Sequence, residues 1–125
     1  MGVGALTIAV AFAQPRTDMR HYDPSKEVTI SGKVDDVQQA QQGRFPGTHL
    51  MVKTETETVD VRLGPSYFIE NHGFSFAKGD QVEIVGARAT VGGVEVVMAR
   101  EVTKDGKKLT LRDTSGRPMW AGRRT

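Results

Sequence analysis

The sequence predicts an all-β fold, a small barrel of five to six strands with one short helix between strands three and four. Residues 77–87, AKGDQVEIVGA, contain a turn followed by Val82 and Ile84 alternating with polar residues, which is typical of a half-buried strand. Similar alternating segments, separated by closely spaced turn signals, lie on both sides of it. A short apolar segment after Gly64-Pro65 has the start signal of a helix.

The first three predicted strands lie between residues 27 and 63. Glu27–Gln38 alternates in polarity, and Gly32 lies on its inward face, where a strand bends sharply if it is to serve two sheets. A polar loop is predicted at Gln39–Gly47. Thr48–Thr54 and Glu57–Leu63 then form a hairpin, with valine and leucine directed inward.

The helix and the last three strands complete the predicted barrel. The helix begins at Pro65 or Ser66 and ends at Gly73, and its apolar face is formed by Tyr67, Phe68 and Ile69. Phe74 and Phe76 follow as predicted core anchors. The later strands are Gln81–Ala87, closed by Gly86, then Val94–Val102 after a glycine hairpin, then Lys107–Asp113.

The order strand, strand, strand, helix, strand, strand is that of the OB fold, here with one extra strand. The spacing of the turns also fits a β-sandwich or an SH3-like barrel. The helix between strands three and four favours the OB-type barrel, which we assign to residues 27–113.

The composition predicts one domain and excludes several kinds of chemistry. The chain has 125 residues and a net charge of +2, which is too small to indicate nucleic acid or an anionic membrane as a partner. It contains no cysteine, which excludes disulfides, thiolate catalysis and cysteine-ligated metals.

The N-terminal segment predicts export to the periplasm or the medium. Residues 2–13 are uncharged and too few for a membrane span of about 20 residues. Ala11-Phe12-Ala13 fits a signal-peptidase site, so residues 1–13 are interpreted as a signal peptide cut before Gln14. No basic residue precedes the apolar run, which indicates a leader clipped at its start. A buried segment of a cytoplasmic protein and a retained membrane anchor are the alternatives.

Two flanking segments are predicted outside the barrel. Residues 14–26 are polar and contain two prolines, which predicts a flexible arm. Residues 114–125 form a basic tail around Trp120. The basic residues near the C-terminus are interpreted as a solvated face, with an anionic partner as the alternative. Trp120 either folds back onto the barrel or anchors a partner.

Several short segments between residues 21 and 121 carry a family resemblance. They are Val28–Val34 after Tyr22-Asp23-Pro24, Thr48-His49-Leu50, Leu63-Gly64-Pro65, Phe76–Gly86, and Leu109–Asp113 with Gly116–Trp120. In these segments the chain resembles small exported bacterial OB-fold proteins of largely unassigned function. The resemblance implies a periplasmic or secreted binding module and no catalytic motif.

The histidines offer a weak metal site at most. His21, His49 and His72 fall on the arm, a strand start and the helix end, without the close spacing of a strong motif. We interpret them as ordinary surface histidines and predict no cofactor. A weak site, with Asp23 or Glu70 assisting, is the alternative.

Nucleic acid is not the partner that these residues predict. An OB fold that binds single strands needs outward aromatic and basic side chains on strands two and three. The outward positions here are His49, Met51, Lys53, Asp60 and Arg62, and Glu55 and Glu57 lie nearby. None of these is aromatic, and the acids repel phosphate.

The catalytic patterns in the chain are incomplete, so we predict that it is not an enzyme. Gly64–Tyr67 lacks the lysine of a P-loop, and Ser66 lacks the motif of an activated nucleophile. Asp35 and Asp36 are consecutive in a strand and are expected to point to opposite faces.

The sequence therefore predicts an exported, non-enzymatic OB-fold module that binds a macromolecular partner or a small ligand. The predicted binding residues have types that are common in binding hot spots or lie on the outward face of strands two and three. They are Arg44, Phe45, Met51, Lys53, Arg62 and Trp120. Two alternatives remain: an accessory subunit of a membrane-bound complex held by an uncleaved leader, and a weak metal-binding periplasmic protein.

Overall fold

A computed structural model describes residues 22–42 and 45–120. Within these residues, no helix is both long and apolar enough to cross a membrane. The predicted signal peptide, most of the predicted arm and the end of the tail lie outside the described residues. So do His21 and Arg44.

Six strands and one helix follow one another in the order predicted. They are β1 (Glu27–Gln42), β2 (Phe45–Lys53), β3 (Thr58–Pro65), α1 (Ser66–Asn71), β4 (Gln81–Val91), β5 (Val94–Lys104) and β6 (Lys107–Thr110), after a 3-10 turn at Pro24–Lys26. The sheet order is β3-β2-β1-β4-β5-β6, and all these neighbours are antiparallel. A short parallel pairing of β3 with β5 closes the barrel. The predicted OB-type barrel is confirmed.

The bend of β1 at Gly32 makes this closure possible. Residues 27–33 of β1 pair with β4, and residues 33–42 pair with β2. A Cβ atom on Gly32 would lie 2.3 Å from the carbonyl oxygen of Lys53, so only glycine allows the two strands to approach this closely. A β-bulge at Asp35 follows, at the register shift between Val34 and Asp36. The predicted mid-strand bend is therefore present.

The core is built from the alternating apolar positions of the strands. Ile84 and Leu50 are completely buried, and Ile69 of α1 covers one end of the barrel. Phe74 and Phe76 are partly buried against the same core, as predicted. The other buried members are Val34, Val52, Val59, Val61, Leu63, Val82, Val97, Ala99, Val102, Leu109 and Leu111.

Several strands are longer than the sequence pattern predicts. The predicted loop Gln39–Gly47 is wrong over most of its length, because β1 continues to Gln42 and β2 begins at Phe45. Gly86 does not close β4, which runs on to Val91. A Cβ on Gly86 would lie 2.4 Å from the carbonyl oxygen of Met98, so this glycine permits close strand packing beside the bulge in β5.

Three smaller expectations are also wrong. The sixth strand ends at Thr110, three residues early. Tyr67 is 40% exposed on α1 and does not belong to its apolar face. Asp35 and Asp36 do not alternate between faces: both are exposed, because the bulge at Asp35 interrupts the alternation.

Candidate functional site

The outward face of β2 and β3 brings together three of the predicted binding residues. His49 pairs with Arg62, Met51 with Asp60, and Lys53 with Thr58. Residues directly opposite each other on antiparallel strands project to the same side of the sheet. Lys53 is exposed and Met51 is half-buried, so the face offers one apolar surface beside a free cation.

An ion pair organises the charge on this face. The Arg62 guanidinium donates from Nε to Asp60 Oδ1 at 3.1 Å and from Nη2 to Oδ2 at 3.4 Å. The two residues are two apart on β3, so their side chains project from the same face. The pair holds Arg62 along β3 and removes most of its net charge from the surface.

β1 adds a third strand to the face, which the sequence analysis missed. Asp36 pairs with Met51, and Gln38 pairs with His49. The Gln38 amide donates to the Asp36 carboxylate at 3.1 Å. The sequence pattern predicts a loop at Gln39–Gly47, so it does not predict the long β1–β2 hairpin. Only that hairpin brings Asp36 and Gln38 beside Met51 and His49.

His49 is not a surface histidine as predicted. It is only 8% exposed, and burial together with the neighbouring Arg62 cation lowers the pKa of its imidazole, against the opposing effect of Asp60. It is therefore a neutral group at the centre of the face near pH 7.

His72, by contrast, is exposed at the end of α1. One of its ring nitrogens, Nδ1, lies 2.9 Å from the Phe68 carbonyl oxygen. Over the part of the chain that the structure describes, no three of the histidines and acids are grouped to hold a metal ion. Because His21 lies outside that part, a weak site that uses all three histidines remains the alternative to the predicted absence of a metal site.

Trp120 folds back onto the barrel. Its indole lies directly over Gly64 at the end of β3, and its ring is 5.5 Å from that of Phe68 on α1. The Met119 amide donates to the Leu111 carbonyl at 2.9 Å, which holds the tail beside the end of β6. Of the two interpretations of Trp120, the structure shows the folded-back one, and any contact with a partner remains a prediction.

A buried cation fastens the tail to the start of the described chain. Arg112 is only 7% exposed. Its guanidinium carbon lies 5.5 Å from the Tyr22 ring centre and 5.6 Å from the Trp120 ring centre. Its Nη1 donates to the Gly116 carbonyl. Burial lowers the pKa of Arg112. The end of the predicted arm and the start of the predicted tail are therefore ordered parts of the fold.

Tyr22 is tied to an ion pair at the first residue of β1. Its hydroxyl donates to the Glu27 carboxylate, which also accepts two bonds from Arg100. Burial is the main reason that the pKa of Tyr22 is raised, and the Arg100 and Tyr22 donors lower the pKa of Glu27. These groups stabilise the packing of the arm on the barrel.

Phe45 and Arg44 are the remaining predicted site residues. Phe45 begins β2 and pairs with Gln42, and only this backbone position is described for it. Arg44 lies outside the described residues. The structure therefore unites Met51, Lys53 and Arg62 on one face, while Trp120 sits at the end of the barrel next to α1.

The strand order, the parallel closure of β3 on β5 and the helix between β3 and β4 define an OB-fold protein. The model of the MamS/MamX magnetosome protein family matches residues 26–109. The chain belongs to this family. No curated protein matches the chain.

Several solved structures are similar to this chain in fold. The OBody NL8 bound to hen egg-white lysozyme is 21% identical, with a TM-score of 0.48 over 65% of this chain and 94% of that one. The N-terminal domain of PriB from Thermoanaerobacter tencongensis is 19% identical, with a TM-score of 0.48 over 64% of this chain and 96% of that one. The second OB-fold domain of replication protein A from Methanococcus maripaludis is 17% identical, with a TM-score of 0.48 over 74% of this chain and 96% of that one.

Proposed function

We propose that this chain is an exported, non-enzymatic OB-fold module of the magnetosome that binds a macromolecular partner or a small ligand. Membership of a magnetosome protein family supports the proposed association with the magnetosome. The leader-like residues 2–13 support export. The proposed binding residues are Met51, Lys53 and Arg62 on the outward face of β2 and β3, together with Arg44, Phe45 and Trp120.

The observation that carries this proposal is the mixed character of the outward face. Met51 is a half-buried thioether between Asp36 on β1 and Asp60 on β3, and such flexible side chains adapt to varied partners. Lys53, exposed at the end of the same row, adds a positive charge that can orient an acidic partner. Apolar contact with a charged rim is the usual composition of a protein interface.

A protein or small ligand fits this surface better than nucleic acid. The described outward side chains of β2 and β3 include no aromatic ring on which a base could stack, and Asp60 occupies the middle of the row. Arg62, the cation most central to the face, already binds Asp60 at 3.1 Å.

Each described carboxylate with a shifted pKa has a structural partner that accounts for the shift. The pKa of Asp80 is lowered first by the Ala77 amide and then by Lys104, which together fasten the turn before β4. The Asp113 carboxylate accepts from the Ser115 hydroxyl and from backbone amides, which lower its pKa and shape the turn after β6. These shifts follow from packing and turn geometry.

We expect Lys53→Glu to reduce partner recovery at least about tenfold, because it reverses an exposed positive charge on the face. The measurement is a pull-down of partners from cell extract with the tagged mature chain. Lys107→Glu, the same change at an exposed position on β6, is the matched control and should recover as much partner as the wild type. Equal recovery by both variants would contradict the proposal that partners bind the outward face of β2 and β3.

We expect the exported protein to begin at Gln14 and to fractionate with the periplasm or the medium. Intact-mass spectrometry of the protein isolated from its own cells measures the N-terminus, and cell fractionation measures the location. A retained leader in the membrane fraction would instead favour the accessory subunit of a membrane-bound complex.

A further inference from the structure

β1 has an open backbone edge over the second half of its length. On the side of β4, its ladder ends at Val34, whose N–H donates to the Asp80 carbonyl and whose carbonyl accepts from the Gly79 amide. From Val37 to Gln42, β1 pairs with β2, and no other strand within residues 22–42 and 45–120 pairs with it. This open edge, Val37–Gln42, is roughly 20 Å long at about 3.4 Å per residue.

Pro46 shows which groups of β1 point to the open edge. It pairs with Gln41, and proline has no N–H to give to a ladder. Gln41 therefore occupies a non-hydrogen-bonded pair, in which the backbone N–H and C=O point away from β2. By alternation the same holds for Val37 and Gln39. The backbone N–H and C=O of Val34 also point away from β2, toward Asp80 and Gly79. The even-numbered Val34 and the odd-numbered Val37 share this direction because the one-residue bulge at Asp35 shifts the alternation by one.

The sequence of the open edge lacks the features that usually prevent strand pairing. Residues 37–42 read VQQAQQ, without a charge, a proline or a glycine. Natural edge strands are commonly protected by lysine, proline or a bulge. The bulge and the three acids of β1, Glu27, Asp35 and Asp36, precede this stretch, and the net charge of +2 leaves little repulsion between copies.

We propose that a second copy of this chain pairs antiparallel with the open edge, forming a two-fold symmetric dimer. With Gln39 opposite Gln39 of the second copy, Val37 lies opposite Gln41, and every outward-pointing backbone group has a partner. Three such pairs form about six hydrogen bonds. Asp36 then faces the uncharged Gln42, so no like charges oppose each other. The dimer does not depend on the proposed binding function.

Gln41→Pro tests the dimer because it removes an N–H that the β2 ladder does not use. We expect the wild-type chain to show a concentration-dependent dimer by sedimentation equilibrium, and Gln41→Pro to weaken it at least about tenfold. Gln41→Ala keeps the N–H and is expected to dimerise like the wild type. Circular dichroism confirms that each variant is folded. A wild type that stays monomeric at every concentration would overturn the proposal.

Cross-linking gives a second measurement if Gln41→Pro does not fold. The chain has no cysteine, so Gln39→Cys introduces a single thiol that faces its own copy in the proposed register. Opposed residues of a hydrogen-bonded pair lie about 5.5 Å apart between Cα atoms, within the range of a disulfide. Oxidation should give a covalent dimer for Gln39→Cys and not for Lys107→Cys. Equal cross-linking of the two variants would also overturn the proposal.

Discussion

Gly32→Val is expected to lower the free energy of unfolding by about 3 kcal/mol. The new Cβ would lie 2.3 Å from the Lys53 carbonyl oxygen and 3.0 Å from a Val52 methyl group. A backbone carbonyl cannot rotate away as a side chain can, so β1 must move off β2 at the bend that lets it pair with both β2 and β4. For a domain of this size, the loss corresponds to a fall in melting temperature of about 10 °C or more.

Ser31→Val is the matched control, with the same new side chain one residue earlier on β1. Ser31 is exposed, so this variant should stay within about 0.5 kcal/mol of the wild type in a urea titration. If the two variants lost the same stability, the close approach at Gly32 would not be the cause, and barrel closure would not require a glycine at this position.

Trp120→Ala is expected to cost about 2 kcal/mol of folding stability. A fully buried tryptophan costs about 3–5 kcal/mol when truncated, and Trp120 is half-buried over Gly64 and beside Phe68. Its removal also leaves the buried Arg112 guanidinium with one aromatic neighbour instead of two. Thermal unfolding followed by circular dichroism measures the loss.

Met119→Ala provides the control for the tail, because Met119 is the adjacent apolar residue and is 47% exposed. We expect it to change stability by less than about 0.5 kcal/mol. Trp120 is the only tryptophan, so its fluorescence in the wild type reports this contact alone and should shift to the red as the protein unfolds. An unchanged stability of Trp120→Ala would show that these contacts do not stabilise the fold.

The part of the site that could be predicted depends on strand alternation. Met51 and Lys53 are two residues apart, so any strand through them places both on one face, and the inward Leu50 and Val52 decide which face is outward. The same argument places Arg62 outward on β3. A period-two pattern is a local property and can be read without knowing the neighbouring strands.

The burial of His49 could not be predicted in this way. It is outward by alternation, yet only 8% of it is exposed. Its neighbours across the sheet are Gln38 and Arg62, which come from different strands, and only the register brings them together. The position of Trp120 likewise depends on the missing side chain at Gly64, far away in the chain.

The sequence by itself determined that this protein is an OB-type barrel with a helix between its third and fourth strands. Alternation and turn residues act over a few neighbouring residues, so they are visible along the chain. Only the tertiary structure decided that β1 and β2 extend into a long hairpin with an open edge, that Gly86 lies within β4, and that the tail covers Gly64. These features depend on which distant backbone segments meet and how closely they approach. Polar residues such as Gln39–Gln42 have only a weak preference for any secondary structure, so pairing with β2 decides that they form a strand.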